Sequence, residues 1–179
     1  MDFIDILREK AFLGREFLTW LWYKSDKTGG IIEVPGKTAV QVYFLDRMTL
    51  DLADVESPQV VSLKGEQSEL REGLAALKEG KKIEEARISV KLGDNDYIMV
   101  LKGTWFSFGS LRTPVVMPAE ETEPDAAAEG AFLEKVFLID EATEAVDALF
   151  AYFLSIRVSA EWDTQELPAM RRWIAEETG

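Results

Sequence analysis

The stretch Phe12 to Asp26, FLGREFLTWLWYKSD, holds two tryptophans, one tyrosine, two phenylalanines and three leucines in fifteen residues. Its apolar residues recur at intervals of three and four, which predicts a helix from Asp2 to Asp26, interrupted near Gly14. The second half of this helix is apolar on nearly every side, so we expect it to be buried on several sides.

A second segment of the same kind, FAYFLSI at residues 150–156, lies near the C-terminal end of the chain. Both segments are too apolar for surface helices and too short to span a bilayer. We therefore expect them to bury each other against a sheet, and core packing is favoured over a ligand pocket. An oligomer interface is the alternative for part of this surface, with Trp20, Trp22 and Tyr23 as its candidate aromatic residues.

The FAYFLSI segment ends a long predicted helix, AFLEKVFLIDEATEAVDALFAYFLSIRVS, which starts at Ala131. Its apolar residues keep helical spacing, while glutamate, aspartate and lysine occupy the polar side. We assign Phe132, Val136 and Ile139 to the apolar side of this helix, together with Val146, Leu149, Phe150 and Phe153. A last helix is expected over LPAMRRWIAEE, where Pro168 suits the first turn.

Between the terminal helices the apolar pattern changes to period two, which predicts strands. Strand-like runs follow one another from Ile31 to Leu63, and one clear helix, SELREGLAALKEG, is inserted at Ser68 to Gly80. The strongest hairpin signal is ARISVKLGDNDYIMVLKG, with a loop of Gly-Asp-Asn-Asp. We expect its strands to pair Leu92 with Tyr97, Val90 with Met99 and Ile88 with Leu101, and to place Arg87 opposite Lys102.

The segment PAEETEPDAAAEG at residues 118–130 contains five acids, two prolines and no base, and we interpret it as an acidic, solvated linker. The predicted organisation is therefore a single globular unit in three parts. Residues 1–117 form the N-terminal helix and an antiparallel sheet with its inserted helix, and residues 118–130 form the linker. Residues 131–179 form C-terminal helices that pack on the N-terminal helix. The predicted fold class is α+β, with a sheet of about five to seven strands.

The chain contains no cysteine and no histidine. Disulfides, thiolate nucleophiles, the usual catalytic triads and zinc sites made by these residues are therefore excluded. Two groups of carboxylates do not follow a metal-binding spacing, and we interpret them as solvated or turn residues. They are Asp46, Asp51, Asp54 and Glu56, and Asp94 and Asp96. No phosphate-binding glycine motif is present. We expect no enzyme, no cofactor and no metal site.

The net charge is −13, which favours solubility and opposes binding to nucleic acid phosphates. The best basic surface is one strand face with Arg87, Lys91 and Lys102, a candidate nucleic-acid or partner face whose alternative is an ordinary solvated sheet face. No uncharged apolar run reaches the length of a membrane span, and the start MDFIDILREK does not resemble a signal peptide. These features predict a cytoplasmic protein with no membrane contact.

Four blocks in order resemble the C-terminal region of a subset of RdgC-like, recombination-associated bacterial proteins. They are FLGREFLTWLWYKSD, LKEGKKIEEARISVKLG, LRTPVV and FLEKVFLIDEATEAVDALFAYFLSIRVSAEW…LPAMRRWI. The resemblance implies non-catalytic DNA binding and restraint of recombinase action. The family's basic, ring-forming region has no counterpart in this chain, so no binding residue of the family transfers to a numbered position.

The first expectation is thus a non-enzymatic accessory or interaction module, associated with DNA recombination through that resemblance. Direct DNA binding is expected to be weak or absent for this chain alone. The alternative is a protein-interaction or oligomerisation domain unrelated to DNA, whose acidic surface engages a basic partner. An enzyme built on carboxylates and a divalent metal is the third hypothesis.

Overall fold

A computed structural model describes residues 3–51, 61–64, 68–104, 107–117 and 124–176. Four α-helices and six β-strands follow one another along these residues. In chain order they are α1 (Phe3–Lys27), β1 (Ile31–Ile32), β2 (Val40–Asp51), β3 (Val61–Lys64), α2 (Ser68–Lys78), β4 (Lys82–Leu92), β5 (Asn95–Lys102), β6 (Ser107–Arg112), α3 (Pro124–Arg157) and α4 (Leu167–Glu176). A π-helical segment, Trp162–Glu166, leads directly into α4.

The strands form one antiparallel sheet in the order β1-β2-β4-β5-β6, with β3 paired to the second half of β2. The long strand β2 lies inside the sheet, because β1 and β3 share one of its edges and β4 occupies the other. Helix α2 is inserted between β3 and β4. The predicted α+β class, the antiparallel sheet and the inserted helix are confirmed.

The predicted hairpin exists, but its register is wrong by two residues. The structure pairs Val90 with Tyr97, Ile88 with Met99 and Ala86 with Leu101, because the turn contains two residues and not four. Gly93 occupies the first turn position with φ of 57°, a conformation that glycine adopts without steric cost. A shift of two keeps the same side chains on the buried face, so the predicted apolar face is correct.

Helix α1 runs without the interruption predicted near Gly14. This glycine serves a close approach of two backbones: a Cβ at Gly14 would lie 2.0 Å from the carbonyl oxygen of Gly103, just after β5. The missing side chain therefore lets α1 rest directly on the sheet.

The core lies between one face of the sheet and all four helices. Phe17 of α1 packs against Phe153 of α3 with ring centroids 5.6 Å apart, and Trp22 packs edge-on against Trp173 of α4 at 5.2 Å. The two apolar segments therefore bury each other against the sheet, as predicted. On the other face of the sheet, which we call the open face because no described helix packs on it, Tyr43, Lys91 and Lys102 are exposed.

The acidic linker predicted for residues 118–130 is wrong in its second part. Residues 124–130 form the first turns of α3, with Pro124 at the first helical position. Proline suits this position because a backbone N–H there would have no partner within the helix. Residues 118–123 lie outside the described residues. Within the described ranges, no helix combines the length and apolar character that crossing a bilayer requires.

Candidate functional site

The aromatic residues predicted for an interface lie inside the chain's own core. Trp20 and Trp22 are buried, and Tyr23 is half-buried against Trp173 with ring centroids 5.6 Å apart. The interface assignment is corrected because α3 and α4 of the same chain supply the packing partners. The sequence favoured packing within the chain, but periodicity does not show which element covers an aromatic side chain, so the interface stayed open as the alternative.

The indole groups of Trp20 and Trp173 find hydrogen-bond partners within the chain. The indole N–H of Trp20 donates to Glu166 Oε2 at 3.2 Å, and Lys24 Nζ lies 2.5 Å from Glu166 Oε1. The indole N–H of Trp173 donates to Asp26 at 2.9 Å. These carboxylates anchor the C-terminal helices to α1, since a buried polar group is costly without a partner.

The predicted basic face has its three members on one side of the sheet, but acids are interleaved with them. Arg87 makes an ion pair with Asp46 at 2.9 Å, and Lys102 makes one with Glu85 at 3.6 Å. The predicted placement of Arg87 opposite Lys102 is wrong, because the two-residue turn pairs Arg87 with Val100 and Lys102 with Glu85. Lys91 is exposed, and Asp96 is its cross-strand neighbour.

An apolar surface that the sequence analysis did not recognise lies on the first half of α3. Five large apolar side chains are exposed there: Phe132 66%, Leu133 59%, Val136 47%, Phe137 62% and Ile139 42%. We call these five residues the α3 stripe. At about 100° per residue they occupy an arc of about 160° on one side of the helix. Leu138 and Ala142, on the opposite side, are buried.

Helical spacing predicted that Phe132, Val136 and Ile139 share the apolar side of the long helix with the residues that pack in the core. The structure instead leaves them exposed, because α3 begins to pack on the rest of the molecule only near Leu138. One signal could have revealed this surface. Leu133 and Phe137 lie outside the apolar side that the later residues of the helix define, so the first half of α3 is apolar over too wide an arc for one packed face.

Helix α3 is held to the sheet just after the stripe. Asn95 Nδ2 donates to Glu141 Oε2 at 3.0 Å, and the hydroxyl of buried Tyr97 donates to the same oxygen. Burial disfavours the phenolate and so raises the pKa of Tyr97 well above its usual range, and the hydrogen bond to Glu141 and the charge of Glu141 raise it further. The raised pKa keeps Tyr97 protonated, and therefore a hydrogen-bond donor, at pH values at which an ordinary tyrosine ionises.

Charged residues beside the stripe are mostly acidic. Glu129, Glu134 and Asp140 are exposed on the same half of α3, and Lys135 is the basic residue among them. The first half of α3 therefore presents an apolar surface with acidic surroundings, on a chain with a net charge of −13. Such a surface suits a partner that is apolar on one side and basic on the other.

Comparison of the chain with protein-family models, with curated proteins and with solved structures gave no match.

Proposed function

We propose that the chain is a non-enzymatic interaction module whose α3 stripe binds a basic amphipathic helix of a partner protein. The observation that carries the proposal is the exposure of five large apolar side chains on one side of α3. Two phenylalanines with three aliphatic neighbours make a patch on the order of several hundred Å², the size at which exposed apolar patches mark interaction sites. Apolar side chains at helical spacing are also what a second amphipathic helix packs against.

The charge of the surroundings selects between the two occupants that the sequence analysis considered. In a self-associated pair, the exposed acids Glu129, Glu134 and Asp140 of both copies would be brought close together. Like charges across an interface oppose binding, whereas a basic partner gains from the same acids and from the net charge of −13. A basic partner is therefore the favoured occupant.

A place beside DNA recombination, as an accessory to a basic DNA-binding region, rests on the RdgC-like resemblance. Direct DNA binding by this chain alone is proposed to be weak, since acids pair with Arg87 and Lys102 on the predicted basic face. The proposed localisation is cytoplasmic, in keeping with a chain that has no cysteine for disulfides.

The test is fluorescence anisotropy with a labelled amphipathic helical peptide of leucine and lysine, and with the same peptide carrying glutamate in place of lysine. The lysine peptide should bind, and the glutamate peptide should not. The double variant Leu133→Ser, Phe137→Ser should weaken binding by at least about tenfold, because it removes apolar area from the centre of the stripe.

A matched control is Val158→Ser, since Val158 is 83% exposed but lies beyond the C-terminal end of α3. This variant should bind the lysine peptide as the unchanged chain does. Equal weakening by Val158→Ser, or equal binding of the two peptides, contradicts the proposal. Light scattering gives a separate readout: a dimer that the serine double variant abolishes would assign the stripe to self-association instead.

A further inference from the structure

Two irregularities of strand pairing meet in one row of the sheet, on its open face. Between Phe44 and Met48, β2 advances four residues while β4 advances two, from Ile88 to Ala86. Three residues of β2, numbers 45–47, are therefore opposite the single residue Arg87. Bulges of this kind bend a strand and redirect its side chains, and they are common beside functional sites.

The second irregularity lies on the other side of Arg87. Val100 is the direct partner of Arg87 across β4 and β5, and it pairs in turn with Gly109 of β6. The next pair is Ile98 with Arg112, so a step of two residues along β5 corresponds to a step of three along β6. Ser110, in this extra length, has φ of 52°, a left-handed conformation that costs energy for a residue with a side chain.

The two bulges enclose a groove of about 390 Å³, lined by Asp46, Arg47, Arg87, Ile98, Val100, Ser110 and Arg112. We call it the arginine groove. Its volume lies in the range of small-molecule sites, and Ile98 and Val100 supply an apolar floor. It is separate from the α3 stripe, because α3 packs on the other face of the sheet.

The charges in the arginine groove are not balanced. Asp46 pairs with Arg87, and within the described residues the guanidinium groups of Arg47 and Arg112 have no ion pair or hydrogen bond. Three guanidinium groups and one carboxylate thus leave an excess of positive charge, on a chain whose net charge is −13. Guanidinium groups present N–H donors in a fork that matches phosphate and carboxylate oxygens.

We propose that the arginine groove binds a compact oxyanion, a small molecule that carries phosphate or carboxylate groups. Arg47 and Arg112 supply the first contacts, Ser110 presents a hydroxyl, and Arg87 joins them when it is released from Asp46. We infer a compact ligand because the excess positive charge is confined to the groove and does not extend along the sheet. Lys91 is four residues from Arg87, about 13 Å along β4, and it does not line the groove. This site goes beyond the proposed protein-binding function and does not depend on it.

Isothermal titration calorimetry of the full chain with pyrophosphate and with citrate, at constant ionic strength, tests the site. The two probes also distinguish a phosphate ligand from a carboxylate ligand. At least one probe should bind at millimolar concentration or below, and the one that binds more tightly identifies the phosphate or the carboxylate class. The double variant Arg47→Gln, Arg112→Gln should weaken binding by about tenfold or more, because two charge-assisted contacts are lost. The control Lys91→Gln removes a positive charge from the same face outside the groove and should leave affinity within about twofold.

A second variant gives the opposite change. Asp46→Asn frees Arg87 from its competing carboxylate and should tighten binding several-fold, whereas Asp94→Asn makes the same change in net charge in the exposed hairpin turn and should not. Absence of binding by both probes, or identical effects of the paired variants, overturns the proposal. A titration with single-stranded oligonucleotides gives one more contradicting result. The proposal is overturned if affinity rises with oligonucleotide length and if Lys91→Gln weakens this binding as much as Arg47→Gln, Arg112→Gln does, because the face is then an extended nucleic-acid surface.

Discussion

Asn95 and Tyr97 of β5 both donate hydrogen bonds to one carboxylate oxygen of Glu141, in the middle of α3. These bonds connect the sheet to the helix that carries the α3 stripe, next to the point where α3 leaves the packed part of the molecule. The sequence did not predict them, because the three residues become neighbours only through the hairpin register and the orientation of α3. Alternation did place Tyr97 on the buried face of the hairpin, and this part is confirmed.

The raised pKa of Tyr97 gives a prediction about alkaline stability. The folded protein keeps the neutral phenol, while a tyrosine of the unfolded chain ionises near pH 10. The stabilisation is therefore complete below about pH 10 and is lost as the pH rises above that value. Tyr97→Phe should lower the free energy of unfolding by about 1 kcal/mol at neutral pH. Above pH 10, the stability of this variant should decline less steeply with pH than that of the unchanged chain.

Urea unfolding at pH 8 and at pH 11 measures both effects, with Tyr43→Phe as the control, because Tyr43 is exposed. Absorbance of ionised tyrosine should also show one of the four tyrosines titrating later than the others. Parallel pH profiles for the Tyr97→Phe and Tyr43→Phe proteins would show that Tyr97 has no raised pKa.

At the scale of elements, sequence periodicity predicted what each segment is but not always where it ends or which side it buries. The hairpin illustrates this limit: alternation fixed the buried face, whereas the register depended on a turn of two residues at Gly93. The apolar run from Phe132 to Ile139 likewise has helical spacing. How far α3 packs depends on the extent of the surface that the rest of the chain offers, and helical spacing carries no information about that extent. In the structure, α3 packs only from Leu138 onward.

The two halves of α3 should respond differently to the same substitution. Phe153 is fully buried in the second half, and Phe153→Ala should lower the free energy of unfolding by about 3–5 kcal/mol. Phe137→Ala, in the exposed half, should change it by less than about 0.5 kcal/mol, because most of the Phe137 side chain is already in contact with solvent. Chemical unfolding of the two variants measures the difference. A cost for Phe137→Ala close to that for Phe153→Ala would mean that the stripe is packed in the free protein.

At the scale of the whole molecule, the described helices pack on one face of the sheet, so the α3 stripe and the arginine groove lie on different sides. The fold class could be predicted from sequence because the periods of helices and strands are local properties. The two surfaces could not, because each depends on what packing leaves uncovered. Arg87 was identified as a candidate from its strand position, but its neighbours Arg47 and Arg112 come from other strands and two bulges.

The central claim is that the α3 stripe, which is exposed in the described part of the free protein, is covered by a basic amphipathic helix of a partner. Amide hydrogen exchange of the full chain, with and without the leucine–lysine peptide, measures this directly. In the free protein, residues 126–137 should exchange at least about tenfold faster than residues 141–156, because fewer buried contacts oppose local opening. A saturating amount of peptide should slow residues 126–137 in the unchanged chain but not in the Leu133→Ser, Phe137→Ser variant. Slow exchange of residues 126–137 in the free protein, or exchange there that the peptide does not alter, would contradict the account.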